Sequence, residues 1–91
     1  RPAEISQSLY DNVSFGRLRL MERVLASLES FADDQIGVIM LSREMLRATG
    51  ATLEDSEGFI NLPRSVRGVR VAVFLKESDD GRKDVSVILR A

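Results

Sequence analysis

Hydrophobic positions along the chain switch between a helical period and a strand period, and the switches mark out its elements. Pro2 is placed to open a first helix, with Ile5, Leu9 and Tyr10 as a short apolar stripe ending near Asn12. Ser14 is an N-cap for a longer second helix. At 100° per residue Leu18, Leu20, Met21, Val24, Leu25, Leu28 and Phe31 fall on one side, an apolar face wide enough to pack onto a sheet. Arg17 is the exception, a cation at the centre of that face in the first turn. Asp33-Asp34 predicts a turn. Ile36 to Leu41 is apolar on both alternations, the pattern of a central strand covered on both faces.

Ser42 caps a short helix through Met45 and Leu46, and Gly50 is placed to end it. Asp55 or Ser56 offers a cap for a further helix carrying Phe59, Ile60 and Leu62, which Pro63 must break or kink. Val69, Val71, Val73 and Leu75 then alternate on one strand, Ser78-Asp79-Asp80-Gly81 forms a turn, and Val85, Val87 and Leu89 alternate on a last strand. Asp84, Ser86, Ile88 and Arg90 lie on the opposite face of that strand. The predicted order is helix, helix, strand, helix, helix, strand, strand. This is an α/β chain with a small mixed sheet of about three strands, one antiparallel hairpin among them, packed by helices.

Composition narrows the chemistry. The 91 residues fit one small domain and include no histidine and no cysteine. The commonest general base, the thiol nucleophile and the best transition-metal ligands are therefore lacking. No apolar run approaches the ~20 residues that span a bilayer, and the absence of cysteine fits the cytoplasm. The chain opens on Arg1-Pro2 without an initiating methionine, which predicts numbering that begins inside a longer protein. Net charge is −1 but unevenly spread: residues 1–63 carry six basic and ten acidic side chains, residues 64–91 seven basic and four acidic. That locally basic end favours phosphates at close range.

The paired carboxylates, Asp33-Asp34 and Asp79-Asp80, sit in predicted turns and read as turn formers. The segment from Asp79 to Asp84 lacks the length and closing glutamate of a calcium loop. The serines have no histidine to activate them, and the six glycines stand apart, with no phosphate-cradling run. What remains is arginine, whose planar fork suits phosphate oxygens: Arg64, Arg67, Arg70 and Arg90.

From Leu41 to Arg90 the chain resembles the Asp-His-His (DHH) family phosphoesterases, in the branch that degrades very short oligoribonucleotides and dephosphorylates phosphoadenosine phosphate. The likeness rests on Gly58-Phe59-Ile60-Asn61-Leu62-Pro63-Arg64-Ser65-Val66-Arg67-Gly68-Val69, the strand Val71-Ala72-Val73-Phe74-Leu75-Lys76-Glu77, an acidic-glycine turn, and the ending Ser86-Val87-Ile88-Leu89-Arg90-Ala91. Upstream, Ser8-Leu9-Tyr10 and Arg17-Leu18-Arg19-Leu20-Met21 look like the family's connector helices.

The resemblance implies connector helices over 1–32 and a truncated DHH-associated substrate-binding domain over 33–91. It implies a fragment without catalytic residues or cofactor of its own, manganese being held by the parent's catalytic domain. The implied partners are short RNA or nucleotide phosphate and that catalytic domain, with no membrane. Arg90 and Ser86 are the implied phosphate contacts, with Arg64 and Arg67 as secondary candidates. Ile88 and Ala91 depart from the family's closing motif, where serines stand. The alternative is a protein-interaction or regulatory α/β module that pairs, or self-associates, through an exposed strand edge.

Overall fold

In the computed structural model, residues 13–78 and 80–89 are described, so the predicted first helix lies outside them, as do Asp79 and Arg90. Helix α1 (Phe15–Ala26) starts where expected, with the Ser14 hydroxyl accepting the Arg17 N–H at 3.0 Å. It buries Leu20 and Val24. It also stops sooner than the apolar pattern suggests. The Ser27 hydroxyl donates to the Val24 carbonyl and accepts the Met40 N–H at 2.9 Å, tying the helix end to a strand.

The sheet has four strands, not about three. Leu28 and Phe31 leave the predicted helical face, because Glu29–Phe31 forms strand β1, antiparallel to β2 (Ile36–Leu41), with Glu29 opposite Val38 and Phe31 opposite Ile36. Three residues are too few to show an alternation, so this strand has no signature of its own. The reversal between them runs through Ala32, Asp33 and Asp34, at φ of 55°, 57° and 66°. Aspartate is among the few side chains that tolerate the left-handed region.

Beyond β2, helix α2 (Arg43–Thr49) carries the expected Ser42 cap, whose hydroxyl accepts the Met45 N–H at 3.2 Å. It ends on Gly50, left-handed at φ 71°, whose N–H reaches the Leu46 carbonyl at 2.9 Å. The expected single helix over Phe59–Leu62 is replaced by two short pieces. A 3₁₀ turn (Leu53–Ser56) is closed by a capping box between Thr52 and Asp55, and helix α3 (Asn61–Arg64) follows it. Pro63 is inside α3 and does not break it. In the first turn its absent N–H has no intrahelical partner to lose.

Strand β3 (Val71–Glu77) runs parallel to β2, Ile36 opposite Val71 and Ile39 opposite Phe74, and β4 (Lys83–Leu89) returns antiparallel beside it. The sheet order is β1-β2-β3-β4. Among the described residues, helices cover one face only. Ile39 and Leu41 of β2 and Ala72 and Phe74 of β3 are buried there with Leu20, Val24, Leu46 and Phe59. Phe59 stacks on Phe74 at 6.3 Å between centroids.

On the other face β2 presents Ile36, Val38 and Met40, and β3 presents Val71, Val73 and Leu75. In the same plane β4 adds Val85, Val87 and Leu89, all exposed. The expectation that β2 is covered on both faces is therefore met on one. Met40 remains exposed on the other.

Candidate phosphate-contact site

Arg64 and Arg67 are placed by the segment that joins α3 to β3. Pro63 sits against Gly37 of β2, where an added Cβ would lie 3.0 Å from the proline Cβ. This docks α3 over the N-terminal halves of β2 and β3. Arg64 is exposed in the last turn of α3, and its Nη1 donates to Asn61 Oδ1 at 3.1 Å. Gly68, at φ 91°, turns the chain into β3, and both Arg67 and Arg70 are exposed beside it. The Arg70 N–H donates to the Gln35 carbonyl at 2.7 Å, so this arginine begins where β2 also begins.

Arg67 lines a cavity of about 300 Å³ with Ser30, Asp34, Gly37, Pro63 and Val69. Asp34 is hydrogen-bonded to Ser30 Oγ and brings a carboxylate to the same cavity. Three arginines thus gather at one end of the sheet, with one aspartate partly offsetting them. The planar fork of a guanidinium matches phosphate oxygens bidentately.

Ser86 is placed differently. It pairs with Phe74, on the helix-covered face, and is half-buried; Ile88 pairs with Ala72 on that same face. Phe74 is three residues along β3 from Val71, so Ser86 lies roughly 10 Å from the arginine end at strand rise. Strand β4 runs toward that end, with Leu89 opposite Val71. Arg90 lies outside the described residues. Arg64, Arg67 and Arg70 therefore lie toward one end of the sheet, with Arg67 alone of the three lining the cavity, and Ser86 lies away from them.

At the other end of the sheet, a cavity of about 420 Å³ is lined by Met40, Met45, Leu75, Val85 and Lys83 among others. Sequence reading did not single it out; two methionines flanking the Ser42 cap were its only mark. Arg43 is there too, with its Nε buried and without a hydrogen-bond partner among the described residues. Its backbone N–H donates to Glu77 Oε1 at 3.1 Å. In the nearby hairpin turn the Asp80 carboxyl is held below the usual aspartate range, first by the hydrogen bond from Ser78 and then by the Arg82 N–H. Among the described residues no group of three or more acidic side chains is arranged to hold a metal ion. No helix there is long and apolar enough to cross a membrane.

No protein-family model matches the sequence, and no curated protein does. A solved structure does: the crystal structure of an exopolyphosphatase-related protein from Bacteroides fragilis. It is 30% identical, with a TM-score of 0.80, over the whole of this chain. The match takes in 26% of that protein, so the present chain spans about a quarter of its length.

Proposed function

We propose that this chain is the non-catalytic, phosphate-holding part of a DHH family phosphoesterase, acting on short oligoribonucleotides or phosphoadenosine phosphate. The observation that carries the reading is the likeness, in both sequence and fold, to an exopolyphosphatase-related protein along the entire chain. It is supported by the arginines at one end of the sheet, of which Arg64 and Arg67 fall within the Gly58–Val69 stretch that resembles the family.

In this reading the guanidinium groups of Arg64 and Arg67, with Arg90, hold the substrate phosphate and fix its orientation, while the Ser86 hydroxyl, roughly 10 Å along the sheet, is too far to share that phosphate. Hydrolysis takes place on a separate catalytic domain, where manganese supplies activated water when bound. The described residues offer no cluster suited to that metal. Its contribution is positioning: a phosphate held by forked donors needs less ordering when it meets the reactive group.

Fluorescence titration of a labelled dinucleotide or tetranucleotide RNA onto the chain tests the reading, with Arg67→Ala and Arg90→Ala beside it. Each substitution is expected to weaken binding about tenfold or more and to flatten its salt dependence. Equal, salt-insensitive binding by all three proteins refutes the assigned role. The alternative, an interaction module working through the β4 edge, is separated by sedimentation: a stable assembly without nucleotide affinity supports it.

A further inference from the structure

The cavity beside Arg67 carries a group that phosphate holding does not use. The Asp34 carboxylate lines it together with the Arg67 guanidinium. A carboxylate repels phosphate, so at a site that gripped phosphate alone this charge would only weaken the grip. Among the described residues Asp34 is not ion-paired with Arg67, although both line the same space of about 300 Å³. Its Oδ1 accepts from Ser30 Oγ. A carboxylate offers about four acceptor positions, so after that bond both of its oxygens can still accept. The walls between the two charges are apolar, formed by Leu28, Pro63 and Val66. An apolar recess with a few convergent polar groups is the usual form of a small-ligand site. At about 300 Å³ this one has room for a single flat base, with ribose and phosphate at its mouth.

We propose that this cavity seats a guanine base and that Asp34 selects it. The proposal rests on the phosphate-holding reading and narrows its substrate to short oligoribonucleotides with guanine at the held position, against phosphoadenosine phosphate. An ionised carboxylate accepts hydrogen bonds and donates none. Guanine presents N1–H and its N2 amino group side by side, two donors that match two carboxylate oxygens. Adenine and cytosine each set a ring-nitrogen lone pair beside a single amino group. Uracil flanks its one N–H with two carbonyls. Each of these three therefore turns a lone pair toward Asp34, and only guanine does not. Arg67, on the same cavity, is left to meet the attached phosphate.

Calorimetric titration of the 91-residue chain with guanosine, inosine, adenosine, cytidine and uridine 5′-monophosphates tests the proposal. The guanosine nucleotide is expected to bind at least about tenfold more tightly than the adenosine, cytidine and uridine ones, the discrimination of one bidentate base contact. Inosine monophosphate keeps N1–H but lacks the amino group, and is expected to fall between. Equal affinity for all five overturns the proposal and leaves phosphate holding standing. Binding of none overturns both. Free guanosine that binds as tightly as its monophosphate, and still outcompetes adenosine, supports base selection and refutes phosphate holding.

Asp34→Asn assigns the preference to its residue. Asparagine tolerates the left-handed φ of 66° at this position and can still accept from Ser30, so the reversal is kept. The substitution is expected to erase the guanine preference without weakening the adenosine nucleotide, and a retained preference overturns the role of Asp34. The ranking of the five nucleotides by the unaltered chain decides the proposal even where the variant unfolds.

Discussion

The guanidinium of Arg17 lies 4.8 Å from the ring centroid of Phe59, and its Nη1 also donates to the Asp55 and Glu57 carbonyls. One cation in the first turn of α1 thereby closes the 3₁₀ segment over the core. This explains a charge at the centre of an apolar helical face. Its stem packs with the hydrophobic side chains, and its head satisfies carbonyls that no helix or strand pairs. Arg17→Ala is expected to cost about 2 kcal/mol through the lost charged hydrogen bonds and the cation–π contact. Arg17→Lys should recover part of it, since an ammonium keeps the ring contact and loses the fork. Urea unfolding of the three proteins measures both differences.

Gly37 is a matter of space. Its missing side chain lets Pro63 lie against β2, and a Cβ there meets the proline at 3.0 Å. Gly37→Ala is expected to lower stability by about 1–3 kcal/mol, by pushing α3 off the sheet. A larger residue should cost more. If binding of short RNA falls along with stability in Gly37→Ala, α3 is also what positions Arg64 and Arg67.

The Ser78–Asp80 pair gives the hairpin a pH dependence. A carboxyl whose folded pKa is depressed contributes stability above its unfolded pKa and loses it as pH falls through the folded one. Asp80 is of this kind, with the Ser78 hydroxyl as the first cause and the Arg82 N–H as the second. Ser78→Ala should raise the Asp80 pKa toward its ordinary value and move the acid loss of the turn to higher pH. Carboxyl chemical shifts followed through an acid titration report it; an unmoved Asp80 rejects the assignment.

Ser27 joins two elements through one hydroxyl. It accepts the Met40 N–H at 2.9 Å just before β1 begins, in the manner of a further rung of the β1–β2 ladder. Ser27→Ala leaves that N–H to water and is expected to cost about 1 kcal/mol. Faster amide exchange at Met40, with Ile39 still protected, identifies the loss as local.

Phe74 shows how the core is packed. Stacked on Phe59 and 2% exposed, it has Lys76 Nζ 5.1 Å from its centroid. Phe74→Ala is expected to cost about 3–5 kcal/mol, a large part of the stability of so small a domain. Loss of the cooperative thermal transition is the readout.

Local signals were sufficient wherever a side chain acts on its own backbone. Ser14 and Ser42 cap their helices, Gly50 ends one, and the β3–β4 hairpin closes at Gly81, because each choice is settled within a few residues. What the sequence could not decide depends on distant partners. Strand β1 exists because Ile36–Leu41 is there to pair with it, and α1 ends early because Ser27 meets Met40. Pro63 stays inside a helix because that helix begins two residues before it. The candidate site divides in the same way. Arginine as the candidate phosphate contact came from residue type alone. The gathering of Arg64, Arg67 and Arg70 at one sheet end, away from Ser86, follows only from the parallel crossover. Period two shows that a strand has two faces; which one the helices cover is set by where they pack, and here they chose Ala72 and Phe74 over the valines.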